Sequence, residues 1–169
     1  MPLPKVVGAV ILLLFLNTCS SNSSVEDAES PTAYDLLEGY NFPVGLLPKG
    51  ITKYELNPST GKFKAFLNGT CNFSLEGSYD ISYKSTISGY ISNNKLSKLS
   101  GISVKVLFFW LNIVEVTRSG DNIDFSVGIA SASFGLENFL ECPQCGCGLD
   151  CNKLRNGKFS RGSVFALPY

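Results

Sequence analysis

Between Thr70 and Ser131 apolar and polar residues alternate with period two, and turn residues separate the alternating segments. Cys71, Phe73 and Leu75 interleave with Asn72, Ser74 and Glu76. Tyr79, Ile81 and Tyr83 interleave with Asp80, Ser82 and Lys84. Ile123, Phe125, Val127 and Ile129 interleave with Asp124, Ser126, Gly128 and Ala130. Successive side chains of a strand point to opposite faces, so this pattern means half-buried antiparallel strands. The predicted class is mainly all-β, an antiparallel β-barrel or sandwich with one apolar face turned inward.

The rest of the chain fits around that centre. Ser30-Pro31 reads as the cap of one short N-terminal helix, with Ala33, Leu36, Leu37 and Tyr40 on one face and Gly39 near its end. The segment Asn41–Gly50 is apolar but carries two prolines and two glycines, so it reads as a packed, irregular connection. Strands are predicted at 51–56, 62–67, 70–76, 78–84, 86–92, 95–99, 102–117 and 123–130. The strand 102–117 is apolar on both faces at its centre, with Val106, Phe108 and Trp110 on one and Leu107, Phe109 and Leu111 on the other. Such a strand calls for a second covering layer, supplied by the helix or by the cysteine-rich tail.

Lys5 followed by the uninterrupted apolar run Val6–Leu16 and small polar residues reads as a secretory signal peptide over residues 1–20, too short for a membrane span. A flexible leader (21–30), a single β domain (31–151) and a polar C-terminal tail (152–169) complete the predicted organisation. No later segment is apolar enough to be an integral membrane helix. The expected location is the secretory pathway, either extracellular (the apoplast of a plant) or the endoplasmic reticulum. Asn22, Asn68 and Asn72 stand in Asn-x-Ser/Thr sequons and are candidate glycosylation sites. The 14 basic and 14 acidic residues form no cluster of one sign, which argues against nucleic acid as a partner.

The chain contains no histidine. That excludes Ser-His-Asp and Cys-His catalysis, His-ligated metal and imidazole general-base chemistry. Asp80 and Asp124 fall on polar strand faces and Glu76 beside a turn, where solvated surface roles are expected. No catalytic residue, cofactor or metal ligand is assigned. Cys142, Cys145, Cys147 and Cys151 are read as structural disulfides, with a four-thiolate metal site and a redox Cys-x-x-Cys pair as the other readings. Cys71 lies on the inward face of its strand, and a bond from it to the tail would tie the tail across the sheet. Loss of Cys19 with the leader would leave five cysteines, one of them unpaired or bridged to another molecule.

The segments YDLLEGYNFPVGLLPKG (34–50), LEGSYDISYKSTISGYISNNKLSKLSGISVKVLFFWLNIVEV (75–116) and FSVGIASASFGLENFLECPQCG (125–146) closely resemble the plant family catalogued as domain of unknown function number 538. The resemblance runs from about Tyr34 to Cys151, with Gly135 standing where the family pattern has proline. It implies a plant secretory-pathway protein built on an antiparallel β-barrel or sandwich. Lipid binding like that of bactericidal/permeability-increasing proteins, hydrolysis of chlorophyll or pectin esters, and roles in stress or trichome growth are the functions it suggests.

The inward set Phe73, Leu75, Tyr79, Ile81, Tyr83, Phe108, Trp110, Phe125 and Val127 is rich in aromatics and forms the candidate lining of a cavity for a lipophilic or amphipathic ligand. The same side chains would equally serve as a close-packed core, leaving the surface to meet a cell-wall component or a protein partner. The sequence leaves both readings open, and hydrolysis stands as a third.

Overall fold

The computed structural model describes residues 30–75, 79–149 and 151. The predicted leader (1–20), Asn22, Glu76 and the tail from 152 lie outside the described residues. Helix α1 (Ala33–Gly39) starts two residues later than a Ser30 cap would place it, because Thr32 is its N-cap. The Thr32 hydroxyl accepts from the Asp35 N–H, and the Asp35 carboxylate accepts from the Thr32 N–H at 2.7 Å. This reciprocal pair satisfies two otherwise orphaned donors, and the Thr32 hydroxyl holds the Asp35 carboxyl below its ordinary value. Ala33, Tyr34 and Leu37 face the core.

Nine strands form one antiparallel sheet: β1 (Ile51–Asn57), β2 (Lys62–Leu67), β3 (Cys71–Leu75), β4 (Tyr79–Ser92), β5 (Lys95–Val106), β6 (Phe109–Asn112), β7 (Glu115–Ser119), β8 (Asn122–Ser126) and β9 (Ser131–Gly135). The order is β1-β2-β4-β5-β7-β8-β9, with β3 added to β4 and β6 added to β5. Each long strand therefore has two neighbours on its outer side. The first half of β4 pairs with β3 and the second half with β2, while β5 pairs first with β7 and then with β6.

β4 replaces the two strands expected at 78–84 and 86–92, and β5 joins the one expected at 95–99 to the beginning of the one expected at 102–117. Both bend where the β4–β5 register shifts between Tyr83 and Ser88. Gly101 marks the corner: its φ is +92°, and a side chain there would run into the Thr86 carbonyl oxygen of β4. Only glycine combines that conformation with so close an approach.

The expected strand 102–117 is not one strand. It is a tight hairpin, β5 to β6 through Leu107 and Phe108, followed by β7. No glycine, proline, asparagine or aspartate interrupts Ile102–Leu111, so the sequence carries no turn signal there. Its apolar character on both faces reflects a protruding, exposed tip rather than a covering layer. Strand β9 was also unforeseen, because Ser131-Ala132-Ser133 has little apolar content.

The sheet curls on itself. Phe134 of β9 pairs with β8, four ladders away from β4, yet its ring meets Tyr79 of β4 edge-to-face at 5.9 Å. Inside the curl Phe63, Ile87, Ile91, Leu96, Val116 and Ile123 form a continuous core with Phe42, Leu46 and Leu37. No helix among the described residues is long and apolar enough to cross a membrane.

Candidate functional site: an apolar cavity inside the curled sheet

The core does not fill the curl. A cavity of about 500 Å³ runs through it, lined from Ile91, Leu96 and Val116 near one end to Val106, Leu111 and Val127 near the other. Phe73 and Leu75 of β3, Tyr79, Ile81 and Tyr83 of β4, Phe125 of β8 and Val127 just beyond it all line this space. The alternation that identified them holds because the inward face of every strand faces the same interior.

Phe108 and Trp110 do not belong to the lining. They lie on the hairpin tip, 89% and 51% exposed, because the chain turns at Leu107 before it reaches them. Lining residues absent from the sequence-based set include Val104, Val106, Leu111, Phe134 and Phe139, together with Leu36 and Leu37 of α1. Ala132 and Phe134 continue the period-two pattern past the point where polarity obscured it, and that was the available signal for β9.

Polar groups inside are few and already occupied. The buried Tyr83 hydroxyl donates to the Leu46 carbonyl at 3.1 Å. The Tyr34 hydroxyl donates to the Pro48 carbonyl at 2.8 Å and accepts from the Ile51 N–H at 3.3 Å. Burial pushes both phenols above their ordinary value, so they stay neutral and serve as fasteners of the 46–51 segment. No buried side-chain nitrogen or oxygen among the described residues lacks a partner. Polar side chains gather instead at the rim, where Ser131, Asn138 and Glu141 are exposed. An interior of this kind dissolves an apolar body and leaves hydrogen bonding to the mouth.

The tail builds part of that rim and is covalently fixed. Cys71 on β3 is bonded to Cys145, with Cα atoms 5.0 Å apart, and Cys147 is bonded to Cys151. The Gly146 N–H donates to the Asn72 carbonyl at 2.7 Å, and the Lys49 N–H donates to the Pro143 carbonyl at 2.8 Å. The tail is thus pinned to β3 on one side and to the irregular 43–49 segment on the other. Pro143, Cys147 and Leu149 line the cavity as a result. Cys142 is buried, and none of the described cysteines is free. The described residues include no cluster of three or more His, Cys, Asp or Glu side chains placed to hold a metal.

The carboxylates of the strands are elsewhere. Asp80 accepts from the Ser74 hydroxyl at 2.6 Å and stands 3.4 Å from the Lys105 ammonium. The Ser74 hydroxyl, and then Lys105, hold its carboxyl below the ordinary aspartate value. Asn68 and Asn72 are both exposed.

A family model described as "Protein of unknown function, DUF538" matches residues 33–140. The chain belongs to that family. The DUF538 match begins at the first residue of α1 and includes all nine strands. It includes Cys71 and stops short of the tail cysteines from Cys142 onward. The chain is also 25% identical over 95 residues to "Uncharacterized protein At5g01610" of Arabidopsis thaliana, a plant relative. That match covers 56% of this chain and 55% of the relative, so the chain spans about half the length of the protein it matches.

Proposed function

We propose that this DUF538 chain is a non-catalytic module of the secretory pathway that carries one lipophilic or amphipathic ligand inside its curled sheet. The observation that supports this reading most directly is the apolar cavity of about 500 Å³, a size within the roughly 300–1,000 Å³ usual for small-molecule sites. A hydrocarbon or ring system would lie against Phe73, Ile81, Phe125 and Val127. Its polar end would meet Ser131, Asn138 and Glu141 at the mouth. The disulfides Cys71–Cys145 and Cys147–Cys151 suit an oxidising compartment, as do the leader sequence and the exposed sequons at Asn68 and Asn72.

Native mass spectrometry of protein purified from its host, together with displacement of a dansyl-labelled fatty acid, tests this reading. The dansyl emission is the readout, because Trp110 lies outside the cavity and does not report on it. Val127→Trp is expected to abolish dansyl-lipid binding while changing stability by less than about 1 kcal/mol, since the indole enters open space. In a filled core the same substitution would overpack and cost roughly 1–3 kcal/mol. Protein that carries no lipid and takes up no dansyl probe would end the proposal.

A further inference from the structure

The β5–β6 hairpin ends in the largest cluster of exposed apolar side chains among the described residues. Leu107, Phe108, Phe109 and Trp110 are 75%, 89%, 69% and 51% exposed. Their arrangement identifies what can cover them. Cross-strand partners share a face of a hairpin, so Phe109, opposite Val106, lies on the cavity-facing side, and Trp110, opposite Lys105, lies on the outer side. Leu107 and Phe108 form the turn between them. Apolar surface therefore surrounds the tip on both faces and at its end. A protein partner with a single face would cover one side of this hairpin and leave the other wet. A bilayer surrounds an inserted tip and covers all of it.

Two further observations point the same way. From Ser103 to Asn112 the only charged side chain is Lys105, and its ammonium is engaged 3.4 Å from Asp80. The tip thus has no cationic cluster to seek anionic headgroups, and its attraction to a membrane must be apolar. Leu107 adopts φ = +56°, a position where leucine is disfavoured and glycine or asparagine is normally found. A large apolar side chain is held at the apex in spite of the backbone.

The tip is also continuous with the cavity. Val104, Val106 and Leu111 line the interior, and Phe109 extends the same face outward from them. We infer that the β5–β6 hairpin is a membrane-docking device that inserts Leu107, Phe108, Phe109 and Trp110 into a neutral bilayer and sets the cavity mouth against it. This builds on the proposed carrier role, for which the membrane would be the source or destination of the ligand.

Flotation with phosphatidylcholine vesicles, read alongside Trp110 fluorescence, tests the inference. The wild-type protein is expected to float with the vesicles, with Trp110 emission shifted to the blue and quenched by brominated lipid. Raising the salt concentration should leave flotation unchanged. In the double variant Leu107→Gly, Phe108→Ser, which keeps Trp110 and suits the turn, partitioning should fall by roughly tenfold or more, as loss of two buried apolar side chains requires. Val127→Trp should float like the wild type even where it no longer takes up dansyl lipid, which separates docking from carriage. A wild-type protein that stays in solution with unshifted Trp110 emission overturns the inference. So does a dimer that the double variant dissolves, because the tip would then be covered by a second copy of the chain.

Discussion

The two ends of the curled sheet place residues in the left-handed backbone region for opposite reasons. At the end where β4 turns into β5, Asn41 and Asn94 take positive φ, and asparagine is a residue type that tolerates this conformation. There they do structural work. The Asn41 amide donates to Asn94 Oδ1 at 2.6 Å, Arg118 Nη1 donates to Asn41 Oδ1 at 2.9 Å, and Arg118 Nε donates to the Gly120 carbonyl at 3.0 Å. This network ties the end of α1 to two β-turns above the well-packed Phe42 and Ile123. At the other end Leu107 takes the left-handed conformation with its side chain 75% exposed. One end is optimised for the fold. The other carries Leu107 in a conformation that is costly for leucine, together with exposed apolar side chains and the covalently pinned rim.

Equivalent truncations at the two ends should sharpen that contrast most. Ile123 is 0% exposed, so Ile123→Ala should destabilise by about 4 kcal/mol through lost burial and the cavity left behind. Phe108→Ser at the tip should leave the unfolding free energy in urea within about 0.5 kcal/mol of wild type. Equal losses at both sites would mean that the tip is packed in solution.

Removing the pin comes next. Replacing Cys71 and Cys145 together by Ala opens a link between residues 74 apart in sequence and should cost about 2–4 kcal/mol, mainly by freeing the unfolded chain. Proteolysis should then begin in the tail and not at the Asn41–Asn94–Arg118 end. Cleavage starting at the Arg118 network would reverse the comparison.

The smallest effect lies at Asp80, on the open end. Its folded-state carboxyl sits below the ordinary aspartate value because of Ser74 and then Lys105. A depressed folded value means that its contribution is present above the ordinary value and lost as pH falls through the folded one. The difference between wild type and Asp80→Asn, at most about 0.5 kcal/mol for so exposed a pair, should therefore hold constant down to about pH 4 and shrink below it. A difference that grows on acidification would contradict this sign.

The legible part of the fold was the part whose solvent contrast is regular. Strands β1 to β3, the helix and the first part of the strand expected at 123–130, which ends at Ser126, follow from patterns in which one face is wet and the other dry, and Cys71 on such a dry face pointed to its bond with the tail. The Leu107 turn was illegible because turn chemistry is read from glycine, asparagine and proline, and this turn uses leucine and phenylalanine. That single miss turned an exposed tip into an imagined interior and placed Phe108 and Trp110 in the cavity. The bend joining the halves of β4 was hidden because the steric need for Gly101 arises from Thr86 on the neighbouring strand, which no local window contains. Whether the aromatic interior was filled or hollow depends on the curvature of the sheet, and alternation reports only which side chains face inward.

The Cys71–Cys145 link also dates the making of the mouth. Cys71 is synthesised at the start of β3, and its partner emerges only after all nine strands have been made. On a growing chain, the ladders from β1 to β9 have every residue they need before the sulfur that closes the rim exists outside the ribosome. Residue order thus allows the sheet to close around its interior before the rim can be bonded, and it never allows the reverse.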